Sequence, residues 1–271
     1  MSSDVTTKAK SISDSSGFEH GVRIGLVAYG IVHLLIGWLG LQLAFGEGSG
    51  TPSQEGALRA LAEQPGGELL LWLTGIGFFI LAVWQLTEAL WGHTREDGPK
   101  RAFQRLGSAG KAVLYAVLGF SALKVAIGSS SSSNEDSMTR KLLDLPGGQA
   151  IVMGIGAVII VVAVVHLQRG FTASFGKHLD VGALSGASGS VVKRLGQVGY
   201  IAKGIALGVL GGLFVWAGAT YDADKAGGLD TALRTLLDAT AGPFLLVVVA
   251  AGIVCFGVYC FAWARYADTS S

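Results

Sequence analysis

Apolar residues run nearly unbroken over 22–45, 69–91, 109–127, 150–167, 198–219 and 243–263, and polar residues fill the stretches between them. An α-helix needs about 20 residues to cross some 30 Å of hydrocarbon at 1.5 Å per residue. The pattern therefore predicts six transmembrane helices, bounded as Val22–Phe45, Leu69–Trp91, Ala109–Ile127, Ala150–Leu167, Val198–Ala219 and Pro243–Trp263. Three of the connections carry a shorter rhythm. Leu229, Ala232, Leu233, Leu236 and Leu237 recur at helical spacing, Ala57, Leu58 and Leu61 do the same, and Leu142 with Leu143 mark a third stretch. Each predicts a short amphipathic helix lying on the membrane face before the chain re-enters. The run Ser129–Ser133 is low in complexity and reads as a flexible connector.

The polar punctuation repeats. Arg23-Ile24-Gly25, Arg105-Leu106-Gly107 and Arg194-Leu195-Gly196 open the first, third and fifth spans, and Gly37, Gly119 and Gly208 each follow fourteen positions after the arginine. Arg59, Arg140 and Arg234 then sit in the amphipathic stretches, ahead of Gly66-Gly67, Gly147-Gly148 and Ala241-Gly242. A fixed internal period means one supersecondary unit used repeatedly. The expected division is a disordered tail over 1–16 and units over 17–92, 98–176 and 189–267, all within one membrane domain. Each unit crosses twice, so the copies share one orientation and are related by rotation about the membrane normal. The expected fold is an all-α integral membrane protein, with six transmembrane helices as three tandem hairpins in a pseudo-threefold bundle. The recurrent glycines are assigned to close helix packing, which in lipid rests on small residues rather than on hydrophobicity. Gly204, Gly208 and Gly212 form two overlapping GxxxG steps.

Charge sets the orientation. Only 14% of residues are charged and 51% are hydrophobic, with 41 glycines, whereas soluble domains carry about 25% charge. Segments 92–109 and 168–197 are basic, while 46–68, 129–149 and 220–242 hold most of the acids. Apart from Arg59, Lys124, Arg140, Lys141, Lys225 and Arg234, every lysine and arginine falls on the side of the termini and the basic loops. Such residues are retained in the cytoplasm, so both termini are expected inside. The net charge of +1 and the absence of one basic patch give no support to a nucleic-acid partner. No apolar h-region precedes the first span, which is expected to direct insertion itself. Cys255 and Cys260 share one helix at a spacing that suits neither a disulfide nor a metal, and they read as small core residues.

A charged group inside a span costs about 2.5–3.5 kcal/mol, so the exceptions are the candidate positions: His33, Gln42, Glu88, Lys124, His166 and Arg169. Glu88 and Arg169 are repeat equivalents, 23 residues after Pro65 and Pro146, with Trp263 near the third position. Equivalent positions share one depth, so a gating ion pair is one reading and two interfacial charges near water the other. Gln42, Lys124 and Leu213 share a second repeat position. Lys111, Lys203 and Lys124 are expected to snorkel toward headgroups, with a lining role the alternative for Lys124. His33, near mid-membrane, is replaced by Tyr115 and Gly204 in the other units. It lies about 10 Å from the depth of His166, too far for a shared haem iron, which leaves an interior histidine or a proton-handling one. No catalytic residue, metal site or cofactor emerges: the GxSxG, P-loop and HExxH patterns are absent.

A set of motifs in order carries a resemblance. Arg23-x-Gly25 with Ala28-Tyr29-Gly30 is followed by Gly56-Ala57-Leu58-Arg59-Ala60-Leu61 and Gln64-Pro65-Gly66. Val83-Trp84-Gln85-Leu86-Thr87-Glu88-Ala89, His166-Leu167-Gln168-Arg169-Gly170-Phe171 and Ala262-Trp263-Ala264-Arg265-Tyr266 close the three units. Over roughly residues 17–267 the chain resembles a bacterial membrane family catalogued as domain of unknown function 1206. It departs from the pattern in the third unit, where Ala241-Gly242 stands in place of Pro-Gly-Gly. The resemblance implies six helices and, with the charge pattern, the bacterial cytoplasmic membrane; it implies no activity.

The functional expectation is a non-enzymatic accessory module of the membrane that binds lipid or another membrane protein. A small-solute transporter or channel is the alternative, resting on the Gln42/Lys124 and Glu88/Arg169 positions. A water-filled path lined by those residues would favour transport and a dry centre would disfavour it.

Overall fold

The computed structural model describes residues 16–46, 50–92, 98–128, 135–178 and 186–266, and among these the regular structure is helical throughout. The serine run and all but the last residue of the expected N-terminal tail lie outside the described residues. Six helices are long and apolar enough to cross a membrane. They are α1 (Ser16–Ala44), α3 (Gly67–Leu90), α4 (Gly98–Ala126), α6 (Gly148–Thr172), α7 (Gly186–Thr220) and α9 (Gly242–Tyr266). Between the members of each hairpin lie the short helices α2 (Gln54–Ala62), α5 (Glu135–Leu143) and α8 (Leu229–Leu237). At the basic end α4 and α7 start well before the apolar pattern does. Hydropathy marks only the part of a helix that faces lipid, and a helix whose backbone bonds are internal continues into the headgroup region.

One turn is built three times at the acidic end. The amides of Gly67, Gly148 and Gly242 each donate to a carbonyl three residues back, on Gln64, Leu145 and Ala239, at 2.8 Å every time. A Cβ on any of these glycines would collide with the carbonyl of Leu61, Leu142 or Leu237, so the short helix and the span meet without a side chain between them. The preceding residue is left-handed, with φ of 77° at Gly66, 74° at Gly147 and 59° at Ala241. The third unit therefore holds an alanine where the other two exploit glycine, at a cost of about 1 kcal/mol.

The hairpins pair mainly with each other. The first span of every unit makes its most extensive contact with the second span of the unit before it: α4 against α3, α7 against α6, and α1 against α9, which closes the ring. Glycine sets these seams. Cβ atoms at Gly204, Gly211 and Gly218 would stand at about 3 Å from the carbonyls of Ala163, Gly156 and Gln149 (3.0, 2.9 and 3.0 Å), seven residues to the step on both helices. Gly212 meets nothing within 4 Å, so the expected GxxxG ladder through it is replaced by a heptad seam. Two antiparallel helices wound slightly around each other keep a seven-residue repeat in register, whereas a four-residue step drifts off the contact face. Gly30 and Gly37 of α1 lie the same way against the Gly257 and Ala250 carbonyls of α9, at 3.0 and 2.8 Å.

The threefold pattern is broken in one place. Within the first unit α1 packs on α3, and within the third α7 packs on α9, but α4 and α6 of the second unit scarcely touch. Gly25 would set a Cβ 2.6 Å from the Gly77 carbonyl of α3, and Gly196 would drive one into the rings of Phe175 and Tyr259. Their equivalent Gly107 meets nothing within 4 Å. The most apolar stretch of α6 is only 17% buried, against 61% for α1. The ring is thus a bundle open on one side.

The outer faces are stapled between units as well. Arg140 of α5 reaches Asp224 of the third unit at 2.7 Å, and the Tyr221 hydroxyl donates to Asp144 at 3.2 Å. Arg59, the repeat equivalent of Arg140, turns to Glu55 within α2. These pairs are exposed and contribute little.

Candidate functional site

Aromatic rings fill the axis of the bundle. Tyr29 stands edge-on to Tyr115 at 5.6 Å, Phe78 at 6.2 Å and Phe256 at 6.0 Å, so four spans meet around one side chain. Toward the basic end a second cluster follows, with Phe175 stacked on Tyr200 at 5.2 Å and both rings against Tyr259. Each such pair contributes about 0.5–1.5 kcal/mol beyond its buried area. Phe175 arrives from a 3₁₀ turn, Ser174–His178, that folds under the bundle after Ala173 takes a left-handed φ of 53°. Gly196 leaves the space that its ring occupies.

Lys203 sits within this plug instead of snorkelling. Its Nζ donates to the Tyr29 hydroxyl at 2.7 Å and lies 4.2 Å from the centre of the Phe256 ring. Helical spacing fixes the depth of a lysine but not its azimuth, and the azimuth here points inward. An ammonium over an aromatic face and bonded to a phenol is partly compensated for leaving water.

Where the plug ends, a half-enclosed polar cavity of about 70 Å³ opens at the basic end. It has room for several waters. Glu88 of α3, Ser108 and Lys111 of α4 and Arg169 of α6 line it, together with Gln85. Trp84, Tyr259 and Trp263 supply aromatic walls, and Tyr200 and Phe175 form its floor. Lys111 lies within the fields of both Arg169 and Glu88, and Arg169 and Tyr200 line the cavity together. Lys111 thus turns into the cavity, which corrects the expectation that it snorkels away. Gln85 is 5% exposed, and its buried Oε1 accepts no hydrogen bond. A buried acceptor left unmade costs about 1–3 kcal/mol, so it marks a place where a donor belongs.

Of the candidates read from the sequence, the cavity unites Glu88 and Arg169. His166 stands beside it, 5.6 Å from the Tyr200 ring, with Nδ1 2.8 Å from the Val162 carbonyl. His33 is buried in the plug, 4.2 Å from Tyr29, and its Nδ1 donates to the Tyr29 carbonyl at 2.8 Å. Gln42 and Lys124 lie at the acidic end, Lys124 over the Phe120 ring at 4.9 Å, with the plug between them and the cavity. Among the described residues no group of three or more His, Cys, Asp or Glu side chains is placed to hold a metal.

Gln85, Ser108 and Lys111 were not singled out as lining residues by sequence reasoning. A signal existed in the repeat itself. Gln85, His166 and Cys260 occupy one equivalent position and Tyr29, Lys111 and Tyr200 another, and polarity changes between copies at both.

Six membrane-crossing helices, three like hairpins and a polar cavity at one end define a multi-pass helical membrane protein built by tandem repetition. The chain belongs to the family described as Domain of Unknown Function (DUF1206), whose pattern it matches three times, over residues 24–92, 106–173 and 198–267. It is similar to the Bacillus subtilis (strain 168) protein named "Uncharacterized protein YxxB", at 30% identity over 239 residues, covering 88% of this chain and 86% of the relative. No solved structure matches it.

Proposed function

We propose that the protein is a non-enzymatic module of the bacterial cytoplasmic membrane that binds lipid at its basic, cytoplasmic end. One observation carries this reading. The lining of the polar cavity includes Lys111 of α4 and Arg169 of α6, the two spans that scarcely touch each other, beside residues of α3, α7 and α9. A cavity that reaches the gap between two such spans is accessible to an occupant arriving from the bilayer, which favours lipid. The aromatic plug between the cavity and the acidic end supports binding over conduction, since a path for a solute needs a wettable bore. The placement of most lysines and arginines at the cavity's end of the bundle supports its assignment to the cytoplasm.

The experiment is native mass spectrometry of protein released from lipid nanodiscs without prior delipidation. A retained lipid of defined mass is expected. Release of bare protein, or of a complex with a second protein and no lipid, would replace lipid binding by a scaffolding role.

A further inference from the structure

We infer that the cavity binds a phosphate that bears one negative charge and has a free hydroxyl beside it. The inference rests on the lipid-binding reading above for the site, and on the lining side chains for the ligand. Lys111, Arg169 and Glu88 are the charged members of that lining. Glu88 has a partner of its own, and Lys111 lies in its field. Whichever group Glu88 answers, the two cations outnumber the carboxylate, so the lining keeps a surplus of one positive charge. Trp84, Phe175, Tyr200, Tyr259 and Trp263 surround these charges and hold the local dielectric below that of water, which strengthens the pull on an anion.

A singly charged anion cancels that surplus. A zwitterion or a neutral solute brings no net charge and leaves the surplus in place. Lysine and arginine side chains offer donors and no acceptors, which suits an anion rich in oxygen. A phosphate diester has two oxygens that share its charge, and charge-assisted bonds to such oxygens are among the strongest a protein makes. Gln85 adds the second demand. It is 5% exposed, and its buried Oε1 accepts no hydrogen bond. A phosphate oxygen cannot serve it, since both atoms are acceptors, whereas an alcohol can. A phosphate with an alcohol close by meets both demands, as in an acidic phospholipid with a glycerol headgroup or in that headgroup free in water. At about 70 Å³ the cavity has room for the phosphate and the alcohol but not for acyl chains.

The test is a competition among phosphatidylglycerol, phosphatidylethanol and phosphatidylcholine with the same chains. The first is an anion with hydroxyls, the second an anion without them, and the third a zwitterion. The protein is reconstituted in nanodiscs holding equal amounts of the three, and retained lipids are counted by native mass spectrometry. Both anions are expected at about tenfold over phosphatidylcholine, the ratio that one charge-assisted hydrogen bond supplies. Phosphatidylglycerol is expected at about threefold over phosphatidylethanol, the ratio of one neutral hydrogen bond. Lys111→Gln is expected to lower the preference for anions and Glu88→Gln to raise it; a fall with Glu88→Gln would overturn the charge surplus as its cause. Gln85→Leu should abolish the distinction between the two anions and nothing else. Exposed Lys193→Gln should leave retention unchanged, and a loss equal to that of Lys111→Gln would assign retention to surface charge and overturn the site. Should a variant fail to fold, as judged by helical circular dichroism, the wild-type competition stands alone as the test. Equal retention of the three lipids, or enrichment of phosphatidylcholine, overturns the ligand class and leaves lipid binding standing. Equal retention of the two anions overturns the hydroxyl. Soluble glycerophosphoglycerol binding to delipidated protein as tightly as the lipid does would keep the phosphate and overturn the lipid reading. Bare protein that also fails to bind the soluble headgroup overturns both.

Discussion

Gly25 and Gly107 occupy the same place in two repeats, yet Gly25 lies against the Gly77 backbone while Gly107 borders open space. The difference makes a direct prediction. Gly25→Ala pushes a Cβ into the Gly77 carbonyl and the Leu81 side chain, and is expected to lower stability by about 1–3 kcal/mol. Gly107→Ala meets no neighbour and removes a poor helix former, for a gain of roughly 0.5–1 kcal/mol. Thermal unfolding in detergent reads both. A Gly107→Ala variant destabilised as much as Gly25→Ala would mean that α4 and α6 close on each other.

The left-handed alanine at the third turn is a correctable fault. Ala241→Gly places glycine at a φ of 59°, where an L side chain is strained, and is expected to stabilise by about 1 kcal/mol. Gly242→Ala, one residue on, drives a Cβ into the Leu237 carbonyl and should prevent the α8–α9 turn from forming. A destabilised Ala241→Gly variant would show that the methyl group is wanted for packing.

Lys203 and Tyr29 bind α7 to α1 through a single hydrogen bond in the plug. Tyr29→Phe strands an ammonium among rings, and is expected to cost about 1–3 kcal/mol. Lys203→Met keeps the length without the charge and should be nearly neutral; it should also suppress the Tyr29→Phe defect in the double variant. A Lys203→Met change more damaging than Tyr29→Phe would assign the lysine a role beyond this contact.

Orientation is open to chemical labelling. With Cys255 and Cys260 replaced by alanine, a cysteine at exposed Glu63 is expected to react with impermeant maleimide on intact cells. One at exposed Lys193 should react only after permeabilisation. The reverse pattern would turn the protein over in the membrane and place the cavity outside.

The spans, the amphipathic helices and the threefold repeat could be read from the chain because each is a property of periodicity along one strand of sequence. Partnership between spans could not. An apolar face toward lipid and one toward a neighbouring helix have the same composition in a membrane, so nothing along α4 or α6 announces that they stay apart. The same blindness to azimuth misplaced Lys111 and Lys203. Glu88 and Arg169 were found because they break the apolar pattern at equivalent positions. Gln85 was passed over because an uncharged amide at a helix end breaks it only weakly.

Ring closure by α9 against α1 also sets a schedule. Of the six described spans, α1 is synthesised ahead of the other five and has its main partner in α9, which follows them. Roughly 200 residues separate them, which at 5–20 residues per second is roughly 10–40 s of waiting. During that interval the glycine seam of α1 faces lipid or whatever escorts it, so any chain cut short before α9 displays an unclaimed helix face by which a membrane protease or chaperone can recognise it as unfinished.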